Sequence, residues 1–462
     1  MDITINYKNV FFLGIGGIGM SALARFFISK GMWIYGYDLT PSKLTEELEE
    51  EGANIIYSDD VELISEELTP FNTLVVYTPA IPKDLKMFNS MVDREFTIVK
   101  RSEVLGEISK MYKTLAVAGT HGKTSVSTLL AHIMWRSYKQ CVGILGGISL
   151  NYKSNIVLPT DSSDWLVAEA DEFDRSFLQL SVQKAVVTAV DADHLDVYQD
   201  EDGMVQAYRD FIDRIEPAGV LVTKPAITKL ADHRNDLRIF TYSSELCSDV
   251  DLCPTRIEEH GMGYILDVKT PCGIIENMEL KIPGEINIEN AVAAIAIASL
   301  SGVSADDIKL AVNTFKGVSR RFQVVYSSDD LVYIDDYAHH PEEIKATVKS
   351  VKKYFPDKKT VGIFQPHLFS RTRDFAKEFA ASLDLLDECY LLDIYPAREK
   401  PIEGVTSELI AKQMTNKNVK IVDKSEIEHI VDGLIDTVLL TIGAGNIGLE
   451  SLRILSLLNN RL

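Results

Sequence analysis

The chain has 462 residues, enough for two to four domains at ~100–200 residues each. Its 46% hydrophobic content is ordinary for globular protein, so sizeable cores are expected. With 47 Lys and Arg against 68 Asp and Glu, the net charge of −21 argues against a general binder of nucleic acid or anionic membrane, both of which are polyanions. Any anionic substrate must then be held by local loops and metal. Five irregularly spaced cysteines without a C-x-x-C pair read as reduced thiols of a cytoplasmic protein. No basic segment leads into an apolar stretch at the N-terminus, and no apolar run approaches ~18 residues, so neither signal peptide nor transmembrane helix is expected.

In chain order, residues 10–13 read as a buried parallel strand, followed by Gly14, Ile15, Gly16, Gly17, Ile18 and Gly19, which match G-x-G-x-x-G. A helix is expected from about Met20, then a strand at 33–37 ended by Asp38. This strand–glycine loop–helix–strand–acid order predicts a diphosphate site; the alternative is that the glycines serve only helix–strand packing. Asp38 either bonds a ribose hydroxyl or caps the following turn. A strand at 74–77 runs into the stiff loop Thr78-Pro79-Ala80-Ile81-Pro82, and a strand at 98–99 and a helix around 104–108 follow. Residues 1–108 are too short for a two-halved dinucleotide fold and suit one small Rossmann-like domain.

The stretch 114–118 is a short apolar strand, and 125–134 reads as helix. Between them lie Gly119, Thr120, His121, Gly122, Lys123 and Thr124, the recipe for a nucleotide triphosphate. Glycines let backbone N–H groups face phosphate oxygens, Lys123 reaches the β/γ-phosphates, and the Thr124 hydroxyl can ligate Mg²⁺. The general P-loop spacing would put glycine at 117, where Val117 stands, so the loop is shortened. A strand at 165–168 ends in Glu169-Ala170-Asp171-Glu172, the place for a Mg²⁺ ligand downstream of a phosphate loop. A strand at 185–190 runs into Asp191, Asp193, His194 and Asp196, which either serve a metal or catalytic site or cap the helix near 204–215. A strand at 219–223 follows, and residues 236–283 read as an antiparallel β extension. Asn287 and Asn290 share one face at the start of an alanine-rich helix; Asn287 suits a cap, and Asn290 suits either a cap or an adenine edge. Residues 109–319 form this second, ATP-binding domain.

Residues 315–322 look like a hinge, and the pair Arg320 and Arg321 is the type used to clamp phosphates, with a structural salt bridge as the alternative. The third domain, 320–462, is another open, mostly parallel α/β sheet with strands at 331–334, 360–364, 389–392, 419–422 and 438–442. Its strand ends carry Asp335, Tyr337, His339 and His340, then His367, Arg371 and Arg373, then 393–399, then 443–446. Three histidines on neighbouring strand ends beside two arginines favour a site. The fold class is thus α/β in three domains. Triphosphate, diphosphate and basic edges together suggest a synthetase joining a nucleotide-linked anion to something small.

These motifs resemble those of the Mur ligases over nearly the whole chain. The residues that carry the likeness are 12–21, Gly119 to Ser125, 169–172, 193–196, 287–290, 320–322, 335–341 and 367–372. The short phosphate loop is the form this family uses, and the Gly16-Gly17-Ile18-Gly19-Met20 form points to its alanine-adding branch. The resemblance implies ATP and Mg²⁺ (with Mn²⁺ able to substitute), an acyl phosphate on UDP-N-acetylmuramate, and attack by L-alanine. It implies Lys123 on the transferring phosphoryl group, Thr124, Glu169 and His194 on metal, and Gly119–Ser125 with Asn290, Arg321 and Asp335 on ATP. It also implies Gly14, Gly16, Gly17, Ile18, Gly19 and Asp38 on the UDP substrate. Tyr337, His339, His367 and Arg371 would place alanine as the domains close. A monomer or weak homodimer without nucleic-acid or membrane partners is expected. The rivals are a tripeptide-recycling ligase of the same architecture, a folate polyglutamate synthetase, a non-catalytic nucleotide-binding regulator, and a nicotinamide dehydrogenase. The dehydrogenase leaves Gly119–Thr124 and Glu169 unexplained.

Overall fold

The computed structural model describes residues 7–190, 201–246, 249–397 and 399–460. The chain divides into two compact units, one of Met1–His260, Tyr264–Lys281 and Ile286–Lys316, the other of Gly261–Gly263, Ile282–Glu285 and Gly317–Leu462. The division near Gly317 falls within the stretch that the sequence marks as a hinge.

The first unit contains three sheets. Strands β1 (Asn9–Leu13), β2 (Trp33–Tyr37), β3 (Asn54–Ile56), β4 (Thr73–Tyr77) and β5 (Thr97–Lys100) form a sheet ordered β3-β2-β1-β4-β5. All its pairings are parallel. Parallel sheets are covered on both faces, which is why β1 is buried along its whole length and apolar from Val10 to Leu13. Val10 and Phe12 enter one core, and Phe11 and Leu13 the other. The helix Ile18–Ser29 starts two residues before the expected Met20.

Strands β6 (Lys113–Ala118), β7 (Val142–Ser149), β8 (Ser154–Val157), β9 (Trp165–Glu169), β10 (Val182–Val187), β11 (Ile215–Thr223) and β12 (Arg238–Thr241) form the central sheet, ordered β12-β11-β10-β6-β9-β7-β8. The β7–β8 hairpin is antiparallel, and the other pairs are parallel. The antiparallel extension is shorter than the sequence suggests. Only β13 (Cys253–His260), β14 (Gly263–Thr270) and β15 (Gly273–Leu280) form the separate three-stranded sheet. Arg238–Thr241 instead joins the central sheet parallel to β11, because the helical turn Pro225–Ala231 returns the chain as a crossover rather than a hairpin.

The first two sheets are locked together in one unit. Asn155 of β8 is fully buried and donates to the Ile18 carbonyl at 2.6 Å and the Ser21 hydroxyl at 2.8 Å. Its Oδ1 accepts from Arg25, whose guanidinium also pairs with Glu47 and Glu51. A buried guanidinium is tolerated because each of its three nitrogens finds an acceptor.

His132, on the helix Lys123–Arg136, is 3% exposed between the Tyr152 hydroxyl at 2.7 Å and the Thr314 hydroxyl at 3.1 Å. Burial, reinforced by Arg136, pulls it down to about 4. The unfolded chain takes up this proton near its ordinary value of 6.5. Its stabilisation is therefore complete above pH ~6.5 and is lost as pH falls toward 4, a contribution of up to about 3 kcal/mol. All three tryptophans, Trp33, Trp135 and Trp165, lie in this unit, so their fluorescence in urea reports it alone. His132→Gln should flatten the fall of the urea midpoint between pH 6.5 and 5.

In the second unit, β16 (Gln323–Ser327), β17 (Leu331–Asp336), β18 (Lys359–Phe364), β19 (Glu388–Leu391), β20 (Val419–Ile421) and β21 (Thr437–Ile442) are ordered β16-β17-β21-β18-β19-β20. Only the edge strand β16, which the sequence reading omits, is antiparallel. Val332 and Ile334 face one core, and Leu331 and Tyr333 the other. Parallel strands bring the 335–341, 365–373 and 443–446 loops to one sheet edge, where open α/β sheets place ligands.

Candidate active site

In the first unit the buried strand β6 delivers the chain into Gly119. Gly119 has φ +135° and Gly122 φ +79°. A Cβ on Gly119 would lie 2.0 Å from the Thr188 hydroxyl, and one on Gly122 2.5 Å from Asn290 Oδ1. Backbone and neighbours therefore both demand glycine. Thr120 donates its N–H to the Ala189 carbonyl at 3.0 Å, and the His121 carbonyl accepts from Thr188. Ser125 is half-buried in the first turn of the helix.

The Lys123 ammonium turns back over this loop, donating to the Gly119 carbonyl at 2.8 Å and to Glu172 Oε1 at 2.7 Å. Lys123 is 14% exposed and the Glu172 side chain wholly buried. Burial works against the charge, but Glu172, Asp171 and Glu169 outweigh it and hold Lys123 above its ordinary range. Glu169, at the end of β9, accepts from Thr124 Oγ1 at 3.1 Å, Ser127 Oγ at 3.3 Å and the Gly146 N–H at 3.1 Å. A Cβ at Gly146 would meet its carboxylate at 2.2 Å, so the missing side chain there is what makes room for it. A carboxylate and a hydroxyl converging beside a phosphate-type loop form an oxygen-only donor set. That set fits Mg²⁺, which keeps most of its shell as water and phosphate. His194 falls in 191–200, outside the described residues. Among the described residues no cluster of three or more His, Cys, Asp or Glu forms a closed metal cage.

Asn290 is 7% exposed, and its amide donates to Asn287 at 3.4 Å. The helix begins at Glu285, so Asn287 lies inside the first turn rather than capping it. On the first sheet, the N–H groups of Gly14 and Ile15 donate to the Tyr37 carbonyl, and that of Gly16 to Asp38 Oδ2 at 2.8 Å. Asp38 thus ties down the glycine loop instead of capping the next helix, whose cap is Ser42. Gly17 precedes the first turn, Ile18 is 36% exposed, and Gly19 lies against Arg101.

In the second unit Asp335 is 1% exposed; one oxygen accepts from Thr441 at 2.8 Å and the other from Arg320 Nε at 3.2 Å. Arg320 also donates to the carbonyls of Gly443 and Gly445. Asp335, which the resemblance puts on ATP, is thus buried with both oxygens already accepting, and it holds Arg320. Arg320 and Arg321 both lie against the Tyr337 ring, at 5.2 and 5.0 Å. An aromatic row follows, with ring centroids of Tyr337–His339 at 5.4 Å, His339–His367 at 6.0 Å and His367–Tyr395 at 5.8 Å. His339 Nδ1 faces the Tyr337 carbonyl at 3.1 Å, which leaves Nε2 as the acceptor nitrogen of the neutral ring. Burial pulls both His339 and His367 down to about 4, with Arg371 adding to the effect. These imidazoles are neutral near pH 7, and Arg371, half-buried on Phe369–Asp374, sets a guanidinium close enough to act on both of them.

Three family models match: "Mur ligase family, catalytic domain" over residues 9–113, "Mur ligase middle domain" over 117–298, and "Mur ligase, glutamate ligase domain" over 320–447. The chain belongs to the Mur ligase family. It is 46% identical to a UDP-N-acetylmuramate–L-alanine ligase of Phocaeicola vulgatus, covering 100% of both chains. It is 47% identical to one of Parabacteroides distasonis, over 97% of this chain and 96% of the other. A crystal structure of UDP-N-acetylmuramate–alanine ligase from Thermotoga maritima superposes with a TM-score of 0.83 at 26% identity, over 98% of this chain and 100% of that one.

Two residues of this Mur ligase beside the glycine loops are not marked in the sequence. Glu172 as the partner of Lys123 lies 49 residues away, and only its place in the acidic run at the end of β9 hints at it. Arg101 opens the helix Arg101–Lys110 as an ordinary surface-type residue, and no motif marks it.

Proposed function

We propose that the chain is the ATP-dependent ligase that joins L-alanine to the lactyl carboxylate of UDP-N-acetylmuramate in peptidoglycan synthesis. The observation that carries this is the Lys123–Glu172 and Thr124–Glu169 arrangement around a glycine cradle, in a chain whose full-length relatives bear that activity. A carboxylate oxygen attacks the γ-phosphorus of ATP and ADP leaves. The alanine amine then attacks the acyl carbon, the acyl–oxygen bond breaks, and phosphate leaves with the bonding pair.

The residues divide the work as follows. Gly14, Gly16, Gly17, Ile18 and Gly19, in domain 1–108, hold the UDP diphosphate, with Asp38 fixing the loop. Domain 109–319 takes ATP through Gly119, Thr120, His121, Gly122 and Ser125, with Asn290 at the adenine and Lys123 neutralising the transferring phosphoryl group. Thr124 and Glu169, with His194, would hold Mg²⁺, which neutralises phosphate-oxygen charge when bound; Mn²⁺ offers the same coordination. Domain 320–462 presents Arg321 to phosphate and Arg371 to the alanine carboxylate, while neutral His339, His367 and Tyr337 shape the pocket. UDP-sugars and ATP are cytoplasmic metabolites, and no helix among the described residues is long and apolar enough to cross a membrane. Its substrates put the proposed reaction in the cytoplasm, and a monomer or weak homodimer is the assembly we propose.

The test is phosphate release from ATP with UDP-N-acetylmuramate, with and without L-alanine. Alanine-dependent release is expected. Equal release in both arms, or none, would sink the reading.

A further inference from the structure

The first unit contains a guanidinium that neither glycine loop accounts for. Arg101 follows β5, whose C-terminal end shares a sheet edge with the end of β1, where Gly14–Gly19 begins. Its side chain lies over Gly19: a Cβ there would stand 2.9 Å from Nη1, 3.2 Å from Cδ and 3.3 Å from Cζ. The absent side chain at Gly19 is what admits the guanidinium. On its other side, Nη2 is 3.8 Å from Asp171 Oδ2. That distance exceeds a hydrogen bond, and among the described residues the Arg101 guanidinium has no hydrogen-bond acceptor. Arg25 in the same unit shows the contrast, since its donors are taken by Glu47, Glu51 and Asn155. Arg101 is only 21% exposed, so it lacks both full hydration and acceptors, a poor arrangement for a purely structural arginine.

Asp171 sits between Glu169, which holds Thr124, and Glu172, which holds Lys123. Arg101 therefore stands between the diphosphate loop and the acidic run of the triphosphate loop. The reaction proposed above needs one anionic substrate to reach from the first loop to the second, in a chain with a net charge of −21. We propose that Arg101 binds the substrate's diphosphate through a forked, two-point contact beside Gly19, and that Asp171 keeps the guanidinium turned toward it. The inference rests on the ligase reading.

A guanidinium matches a diphosphate at two points, whereas an ammonium supplies one point charge. Arg101→Met should raise the KM for UDP-N-acetylmuramate and the Kd for UDP alone at least about tenfold. It should leave kcat and the KM values for ATP and alanine within about twofold. Arg101→Lys keeps the aliphatic stem and a charge, and should fall between wild type and Arg101→Met for UDP, with wild-type thermal stability. Unchanged UDP affinity in either variant, or a KM for ATP that rises as much as that for the UDP substrate, would overturn the proposal. Absence of alanine-dependent phosphate release by the wild type would overturn the ligase reading instead, and UDP binding by calorimetry separates the two failures.

Discussion

Lys123→Ala should lower kcat by about 10³-fold or more, because it removes the ammonium held over the phosphate loop where charge moves during phosphoryl transfer. Its present partners show what else is lost. Glu172 is wholly buried and pairs with Lys123 at 2.7 Å. With the ammonium gone, burial and the neighbouring Asp171 both push Glu172 up. Breaking one side of a buried pair costs about 3–5 kcal/mol when the remaining charge stays uncompensated. The double variant Lys123→Met/Glu172→Gln should recover the urea midpoint read from the tryptophans while staying inactive. UDP binding should be unaffected in both, since Gly14–Gly19 belongs to a different sheet. A single Lys123→Ala variant with more than a tenth of wild-type turnover would contradict the assignment.

The parts of this site that the sequence makes visible are those where local geometry dictates residue type. Gly119 and Gly122 are readable because a positive φ and a neighbour within 2.5 Å leave no alternative. β1, β6 and β17 are readable because strands covered on both faces are apolar over most of their length. Glu169 is readable because a carboxylate at the end of such a strand needs a reason to be there. The rest depends on meetings between residues distant in the chain. Arg238–Thr241 alternates like its neighbours, and only the crossover decides that it extends the central sheet. Asp335 looks like a free carboxylate at a strand end until Arg320 and Thr441 are found on it. The neutrality of His339 and His367 comes from burial and from Arg371, which no count of histidines reveals. Arg101 becomes informative only once Gly19 and Asp171 are seen on either side of it.

Glu169→Gln carries the second large effect, and it separates charge from shape. The carboxylate accepts from Thr124 Oγ1 through Oε1, and from Ser127 Oγ and the Gly146 N–H through Oε2. A glutamine amide fills the same volume, yet one of its ends becomes a donor. Turned toward Oε2's position it opposes the Gly146 N–H, which cannot rotate away; turned toward Oε1's position it opposes the Thr124 hydroxyl, which can reverse and accept. The second orientation wins, so the loop should stay folded, at a cost of about 1 kcal/mol for the exchanged hydrogen bonds. That reversal directs the Thr124 lone pairs at the amide and away from any cation, and the negative charge is gone as well. Both changes act on metal affinity rather than on the fold. At fixed Mg²⁺, kcat/KM for ATP should fall about 10²-fold, the range seen when the support around a metal ligand is disturbed. Raising Mg²⁺ should recover part of the loss, whereas KM for UDP-N-acetylmuramate stays within about twofold. Thr124→Ser, which keeps the hydroxyl, should retain wild-type Mg²⁺ dependence. An unchanged Mg²⁺ requirement in Glu169→Gln would mean that this carboxylate only orders the loop, with metal held elsewhere.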